Sequence, residues 1–121
     1  MKKILIVDDE PNIIMALEYA FRKNNFEVFI ARDGKEAIEI LDKEAADLVI
    51  LDVMMPEIDG YATIQFIKNK PKLKDCKVVF LSAKNKSDDI EKGMALGADA
   101  YITKPFSIKR LLEQVNALFA I

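Results

Sequence analysis

Residues 48–52 read LVILD, four consecutive apolar residues followed by the carboxylate of Asp52. A continuous run of this kind is typical of a strand in a parallel sheet, because helices cover both faces of such a sheet and leave no solvent-facing positions. Four further short apolar runs lie on either side of it, at residues 4–7, 26–31, 78–81 and 100–103. The sequence therefore predicts five strands, most of them continuous apolar runs that are buried on both faces.

The segments between these runs carry apolar residues three and four positions apart, which is the spacing of an amphipathic helix. This spacing is found in residues 13–21, 37–41 and 64–67. Pro11 suits the first turn of the first helix, where a backbone N–H has no helical partner to lose. The chain is therefore expected to alternate between strands and helices.

The last two helices carry their own boundary signals. Ser87 or Asp88 is expected to cap the start of the fourth helix, and Gly97 is placed to end it. Ser107 is expected to cap the fifth helix, whose apolar stripe extends through residues 108–119.

Five strand–helix units in 121 residues predict an α/β fold with a five-stranded, doubly wound parallel sheet, because right-handed crossovers place helices on both faces. The expected strand order is 2-1-3-4-5, the flavodoxin-like order, in which ligands bind beyond the carboxyl ends of strands 1 and 3. The length fits one domain over residues 1–121. We therefore expect the functional residues to follow those two strands.

Composition restricts the class of partner. Eighteen basic and twenty acidic residues leave a net charge of −2, which provides no overall field for binding nucleic acid or an anionic membrane. Cys76 is the single cysteine, so no internal disulfide can form and a reducing compartment, the cytoplasm, is expected. No uncharged apolar stretch approaches the roughly 20 residues that span a bilayer, so a soluble protein is expected.

Acidic residues follow the first and third strands, whose carboxyl ends are the expected ligand site. Asp8, Asp9 and Glu10 follow the first strand and Asp52 follows the third, and in the expected order these strand ends are neighbours. Clustered carboxylates repel one another unless a cation compensates them. Mg²⁺ is the expected ion because it prefers oxygen ligands, with Asp8 and Asp9 organising it. Zinc is disfavoured in a chain with one Cys and no His.

A hydroxyl and an ammonium are expected at the same edge of the sheet, since Ser82 follows the fourth run and Lys104 follows the fifth. Carboxylates, a divalent ion, a hydroxyl and a lysine together suit phosphoryl transfer, which requires in-line positioning and neutralisation of the transferred oxygens. Asp52 is the expected nucleophile. Ser82, Lys104 and the metal are expected to hold the phosphoryl oxygens.

Four motifs resemble those of one family, the response-regulator receiver domains of two-component signalling (the CheY-like superfamily). Together they extend along essentially the whole chain. Residues 4–10 (ILIVDDE) resemble its acidic-pair motif, and residues 51–60 (LDVMMPEIDG) resemble its phosphoacceptor loop. Ser82-Ala83 matches the switch hydroxyl, and residues 97–106 (GADAYITKPF) resemble the last signature.

The resemblance implies a role for each matching residue at the site. The carboxylates of Asp9 and Asp52 and the backbone carbonyl of Met54 would ligate Mg²⁺, with Asp8 helping through water. Asp52 would be the phosphoacceptor. The proline of the last signature, Pro105, would be preceded by a cis bond.

The resemblance also implies a signalling switch that catalyses only its own phosphorylation and dephosphorylation. Ser82 and Lys104 would engage the phosphate, and the ring of Tyr101 would move inward and alter the surface of helix 4, strand 5 and helix 5. The donor would be a phosphohistidine on a sensor histidine kinase or a histidine phosphotransfer protein, and the output would pass to a downstream effector protein or domain. The domain itself is expected to contact neither nucleic acid nor membrane. Whether it forms a homodimer on phosphorylation is left open.

Two other functions share parts of this pattern. A flavodoxin-like module binds FMN at the same strand ends, but Asp8, Asp9 and Glu10 would repel the flavin phosphate. A haloacid-dehalogenase-like phosphatase also uses an aspartate nucleophile and Mg²⁺, but its nucleophile follows strand 1 and is usually followed by a second aspartate two residues on, where this chain has Glu10.

Other features are left open or taken as structural. Met54 and Met55 follow a buried strand and are expected to fill gaps in the core. The resemblance makes Met54 and Lys84 the positions that tune the lifetime of the phosphoryl group, and that lifetime stays open. So do the cognate kinase, the stimulus, the output, and whether this is a stand-alone receiver or part of a longer regulator.

Overall fold

The computed structural model describes residues 1–120, and its centre is one parallel sheet. The predicted strand order is confirmed as β2-β1-β3-β4-β5, and the observed strand ends lie within one residue of the predicted ones. The strands are β1 (Lys3–Val7), β2 (Glu27–Ala31), β3 (Leu48–Leu51), β4 (Lys77–Ser82) and β5 (Ala100–Thr103).

Five α-helices connect or follow these strands. They are α1 (Pro11–Lys23), α2 (Gly34–Lys43), α3 (Gly60–Lys68), α4 (Ser87–Ala95) and α5 (Ile108–Phe119), and a single 3₁₀ turn (Pro71–Leu73) precedes β4. Ser107 caps α5 as predicted, since its Oγ accepts a hydrogen bond from the backbone N–H of Arg110 at 3.3 Å. Asp33 and Asp59 cap α2 and α3 in the same way.

The predicted cap of α4 is wrong. The helix already includes Ser87, and Lys86 occupies the N-cap position without a side-chain hydrogen bond. Ser87 and Asp88 therefore lie inside the first turn. There the carboxylate of Asp88 is stabilised by the positive end of the helix dipole rather than by capping a backbone N–H.

The end of α4 agrees with the prediction. Gly97 has a φ of 107°, a backbone conformation that glycine adopts without steric cost. Its N–H donates to the carbonyl of Met94 at 3.0 Å, and the N–H of Ala98 donates to the carbonyl of Gly93 at 3.3 Å. This pair of hydrogen bonds is a Schellman motif, which satisfies the last carbonyls of the helix and turns the chain into β5.

Two apolar cores lie on opposite faces of the sheet, because alternate side chains of each strand point to opposite sides. Ile4 and Ile6 of β1 pack with residues of α1 and α5, including Leu17 and Leu111. Leu5 and Val7 pack on the other face with residues of α2 and α3. Burial on both faces explains why β1, β3 and β4 are nearly continuous apolar runs. The edge strands β2 and β5 are only partly buried.

Within residues 1–120, no helix combines the length and apolar character required to cross a bilayer.

Candidate functional site

Two buried aspartates lie side by side at the carboxyl edge of the sheet. Val7 of β1 pairs with Leu51 of β3, so the residues that follow, Asp8 and Asp52, leave the sheet as neighbours. The N–H of Asp52 donates to the carbonyl of Val7 at 3.0 Å, and the N–H of Asp8 donates to the carbonyl of Ala31 at 3.1 Å. Asp8 is 2% exposed and Asp52 is 5% exposed.

The ammonium of Lys104 lies between three carboxylates. Its Nζ is 3.0 Å from Oδ2 of Asp8, 3.0 Å from Oε1 of Glu10 and 3.4 Å from Oδ2 of Asp52. The backbone N–H of Lys104 donates to the carbonyl of Ser82 at 2.9 Å. This bond holds the backbone of Lys104 beside the end of β4. The peptide bond between Lys104 and Pro105 is cis.

Burial and charge oppose each other at this ammonium and at Asp52. Burial raises the pKa of Asp52, the positive charge of Lys104 lowers it, and the net pKa is above that of an ordinary aspartate. Burial lowers the pKa of Lys104, but its hydrogen bonds to Asp8 and Glu10 raise it more, so the net pKa lies above the usual value. The ammonium form of Lys104 is therefore favoured by its carboxylate partners.

The loop between β3 and α3 folds tightly over Asp52. The N–H of Met54 donates to Oδ1 of Asp52 at 3.3 Å, and the N–H of Gly60 donates to the carbonyl of Val53 at 2.9 Å. A Cβ at Gly60 would overlap the backbone carbonyl oxygen of Asp52. Glycine is therefore required where α3 begins, because any larger residue would push the helix away from the aspartate.

The two methionines of this loop have different environments. Met55 is buried in the core, as predicted, but Met54 is 57% exposed, so the prediction that both fill core gaps is wrong for Met54. The strand ends at Leu51, and Met54 lies in the loop that follows, where its side chain faces solvent. Met54 and Lys84, for which the resemblance implies an influence on phosphoryl lifetime, line the same groove of about 560 Å³.

Asp9 lies outside the group of carboxylates that surrounds Lys104. The group consists of Asp8, Glu10 and Asp52, each with an oxygen within 4.8 Å of the others, whereas Asp9 is exposed. Both oxygens of Asp8 are already engaged, because Oδ1 accepts the N–H of Glu10 at 2.9 Å and Oδ2 contacts Lys104. The role of Asp9 as a metal ligand stays a prediction.

Glu10 is the member of this group to which the sequence assigned no role. It occupies the N-cap position of α1, and its contact with Lys104 joins residues 94 positions apart. No short motif signals such a contact. The available signal was the fold, which brings the residues after β1 and β5 to the same edge of the sheet.

Ser82 and Tyr101 are connected through one residue, Lys84. Ser82 is fully buried, and its Oγ accepts the N–H of Lys84 at 3.2 Å. The half-buried Tyr101 donates its hydroxyl to the carbonyl of Lys84 at 2.7 Å, and its ring lies 5.7 Å from that of Phe80. Burial raises the pKa of the Tyr101 hydroxyl. The ring thus lies inward, and Ser82 is hydrogen-bonded to its own loop rather than to Lys104.

The arrangement fits chemistry on a phosphoryl group. Asp52 offers a carboxylate oxygen at the end of a buried strand, Lys104 offers a positive charge beside it, and oxygen ligands for a hard cation lie within the same group.

Comparisons with known proteins agree with this geometry. The family model described as the response regulator receiver domain matches residues 4–116. The alkaline phosphatase synthesis transcriptional regulatory protein PhoP of Bacillus subtilis is 38% identical over 117 residues, which are 97% of this chain and 48% of that protein. The chain therefore spans about half the length of this curated relative.

Solved structures give the same result. The response regulator TrrA of Thermotoga maritima, in complex with Mg²⁺ and BeF, is 37% identical with a TM-score of 0.85, over 98% of this chain and 99% of that one. The chemotaxis protein CheY4 of Vibrio cholerae is 28% identical with a TM-score of 0.91, over 98% of each chain.

Proposed function

Because this chain belongs to the response regulator receiver domain family, we propose that it is a signalling switch that accepts a phosphoryl group on Asp52. The observation that carries this proposal is the position of Asp52, which is 5% exposed at the end of β3 with the ammonium of Lys104 at 3.4 Å from its Oδ2. A carboxylate beside a positive charge can attack phosphorus while the charge on the transferred oxygens is neutralised.

The phosphoryl donor is a phosphohistidine on a sensor histidine kinase or a histidine phosphotransfer protein. A carboxylate oxygen of Asp52 forms the new bond to phosphorus while the bond from phosphorus to the histidine nitrogen breaks and the imidazole takes up a proton. This chain contains no histidine, so the donor is a separate protein or domain. The domain catalyses its own phosphorylation and dephosphorylation and turns over no other substrate.

The donor atoms of the site suit Mg²⁺, because the carboxylate oxygens of Asp8, Glu10 and Asp52 lie within 4.8 Å of one another and Mg²⁺ prefers oxygen ligands. We assign the direct ligands to Asp9, Asp52 and the backbone carbonyl of Met54, with Asp8 acting through water. When bound, the ion would neutralise charge on the phosphoryl oxygens. Asp9 is exposed and directly follows Asp8 in the chain, so its carboxylate is open to solvent and to a cation.

The output surface consists of α4, β5 and α5. Phosphate on Asp52 attracts Lys104 and the hydroxyl of Ser82, and a shift of Ser82 moves the loop that also holds Tyr101 through Lys84. The phosphate changes the balance between two conformations only by interacting differently with each of them. A downstream effector protein or domain reads this surface, and a homodimer formed on phosphorylation is one form that the output can take.

We place this reaction in the cytoplasm, where the single buried thiol of Cys76 stays reduced. The flavin-binding and phosphatase alternatives are not favoured, since the family match covers residues 4–116. A yellow preparation that contains flavin, or turnover of general phosphomonoesters, would revive them.

Beryllofluoride with Mg²⁺ tests the proposal, because it forms a stable analogue of an aspartyl phosphate. We expect amide NMR shifts of wild type to change around Asp52 and at residues 100–106, and Asp52→Asn to show neither change. Ser82→Ala should keep the first set of changes and lose most of the second. Equal changes in wild type and Asp52→Asn would remove Asp52 from the mechanism.

A further inference from the structure

Glu10 is the outer member of the three carboxylates around Lys104. Its Oε1 lies 3.0 Å from Nζ of Lys104 and its side chain is 57% exposed, whereas the side chains of Lys104 and Asp8 are 10% and 3% exposed. The backbone N–H of Glu10 donates to Oδ1 of Asp8 at 2.9 Å, which fixes the residue at the start of α1. The ammonium therefore has one partner at the protein surface and two inside the site.

The two inner partners are the groups that a divalent cation needs. Nζ of Lys104 lies 3.0 Å from Asp8 and 3.4 Å from Asp52. An ammonium and a divalent cation that share these carboxylates repel each other, and the repulsion is stronger in a buried site than in water. Binding of the cation therefore favours a position of the ammonium further from Asp52.

Glu10 offers that position. A carboxylate at the outer side of the site keeps a hydrogen-bonding partner for the ammonium as it moves away from the cation, so that the charge of Lys104 is not left unpaired in a nearly buried environment. The side chain of Glu10 needs no rearrangement to do this, because the contact with Lys104 already exists.

We propose that Glu10 is a positioning residue that holds the ammonium of Lys104 at the outer side of the site and so leaves the inner carboxylates to the divalent cation. The inference rests on the proposed function, because it concerns Mg²⁺ at the same phosphorylation site. Glu10 acts here through Lys104 and is not itself a ligand.

A double-mutant cycle with Mg²⁺ alone as the probe tests this role. Glu10→Gln is compared in the wild-type background and in Lys104→Met, and the dissociation constant is read from amide NMR shifts of residues 52–60. We expect Glu10→Gln to weaken Mg²⁺ binding by about tenfold when Lys104 is present, which is the lower end of the loss in affinity that is usual for residues that orient a metal site. In Lys104→Met the same substitution should change the constant by less than about twofold, which is typical of one screened surface charge.

Glu39→Gln is the matched control, since it removes the same charge from an exposed position on α2. Its Mg²⁺ affinity should equal that of wild type. Lys104→Gln provides a second background if the methionine variant shows altered amide shifts far from the site.

The possible outcomes separate the inference from the proposed function. If Glu10→Gln weakened Mg²⁺ binding equally in both backgrounds, Glu10 would be a direct ligand or would act only through its charge. If it weakened Mg²⁺ binding in neither background, Glu10 would have no role at the site. Both results overturn the inference. No phosphodonor is present in the cycle. A wild-type chain that binds Mg²⁺ but takes no phosphoryl group would therefore overturn the proposed function and leave the result for Glu10 standing.

Discussion

The hydroxyl of Tyr101 donates a hydrogen bond of 2.7 Å to the backbone carbonyl of Lys84. This bond joins β5 to the loop that follows β4, and the same residue of that loop donates its N–H to Oγ of Ser82. A movement of Ser82 toward a phosphoryl group would therefore act directly on the partner of the tyrosine hydroxyl.

Removal of that hydroxyl should destabilise the fold slightly. Tyr101→Phe is expected to lower the free energy of unfolding by about 1 kcal/mol, the usual net contribution of one hydrogen bond. Tyr19→Phe is the matched control because Tyr19 is 69% exposed on α1, and it should leave the stability unchanged. Urea unfolding of the three proteins measures the difference, and equal loss in both variants would mean that the bond to Lys84 contributes nothing.

Gly93 on α4 makes room for the tyrosine ring. A Cβ at this position would lie 3.0 Å from Cδ2 of Phe80 and 3.0 Å from Cδ2 of Tyr101, which is tighter than ordinary packing allows. Gly93→Ala should therefore fail to give the gain of about 1 kcal/mol that alanine brings to a helix interior.

Truncation of the tyrosine ring removes one of these two close contacts and should restore part of that gain. In a Tyr101→Ala background we expect Gly93→Ala to be more favourable by about 1 kcal/mol than in wild type, a coupling typical of residues in contact. Met94→Ala, an exposed substitution on the same helix, should show no such coupling. Additive effects of Gly93→Ala and Tyr101→Ala in urea unfolding would contradict the contact.

Cys76 should make stability fall in alkaline solution. Burial raises the pKa of its thiol to about 12, whereas an unfolded thiol has a pKa of about 8.5. Between these values the folded state holds a proton that the unfolded state has lost. The contribution is therefore complete below the unfolded pKa and decreases as the pH rises, by up to about 1.4 kcal/mol per pH unit.

Denaturant unfolding at about pH 8 and about pH 10 measures this effect in wild type and in Cys76→Ala. The alanine variant should lose less stability over that interval, because it has no thiol to titrate. An identical loss in the two proteins would mean that other groups, such as the tyrosine hydroxyls, cause the alkaline dependence.

The positions of the strands could be predicted because they depend on strong and local signals, and the strand order then followed from the alternation of strands and helices. Burial on both faces requires continuous apolar runs, and the polar residues directly after those runs indicated the candidate functional edge of the sheet. The fold then brings Asp8, Asp52 and Lys104 together although 96 positions separate the first from the last.

Other features depend on contacts that no local pattern encodes. The start of α4 is one residue earlier than its capping signals indicate, because Ser87 and Asp88 suit a first helical turn as well as a cap. The side chain of Met54 is exposed because it lies in the loop after β3, beyond the buried strand that ends at Leu51. The contact between Glu10 and Lys104 exists only once β1 and β5 are both in place.

Asp9 is the residue for which the resemblance and the observed contacts differ. The family pattern makes it a direct Mg²⁺ ligand, whereas its side chain is exposed beside the group that surrounds Lys104. We expect Asp9→Asn to weaken Mg²⁺ binding by at least about tenfold, because loss of a direct ligand should reduce the affinity at least as much as loss of a residue that only orients a ligand. Asp75→Asn, an exposed change near the start of β4, should have no effect. Unchanged affinity of Asp9→Asn in an NMR titration would make the residue part of a solvated loop.

Phosphorylation by acetyl phosphate with Mg²⁺, followed by intact-mass spectrometry, tests the central claim most directly. Asp52 combines burial at the end of β3 with a neighbouring ammonium, so the wild-type chain should gain the mass of one phosphoryl group and no more. Asp52→Asn should gain none, while Asp59→Asn, a change at the cap of α3, should still be phosphorylated. Equal phosphorylation of Asp52→Asn and wild type would contradict the assignment of Asp52 as the phosphoacceptor.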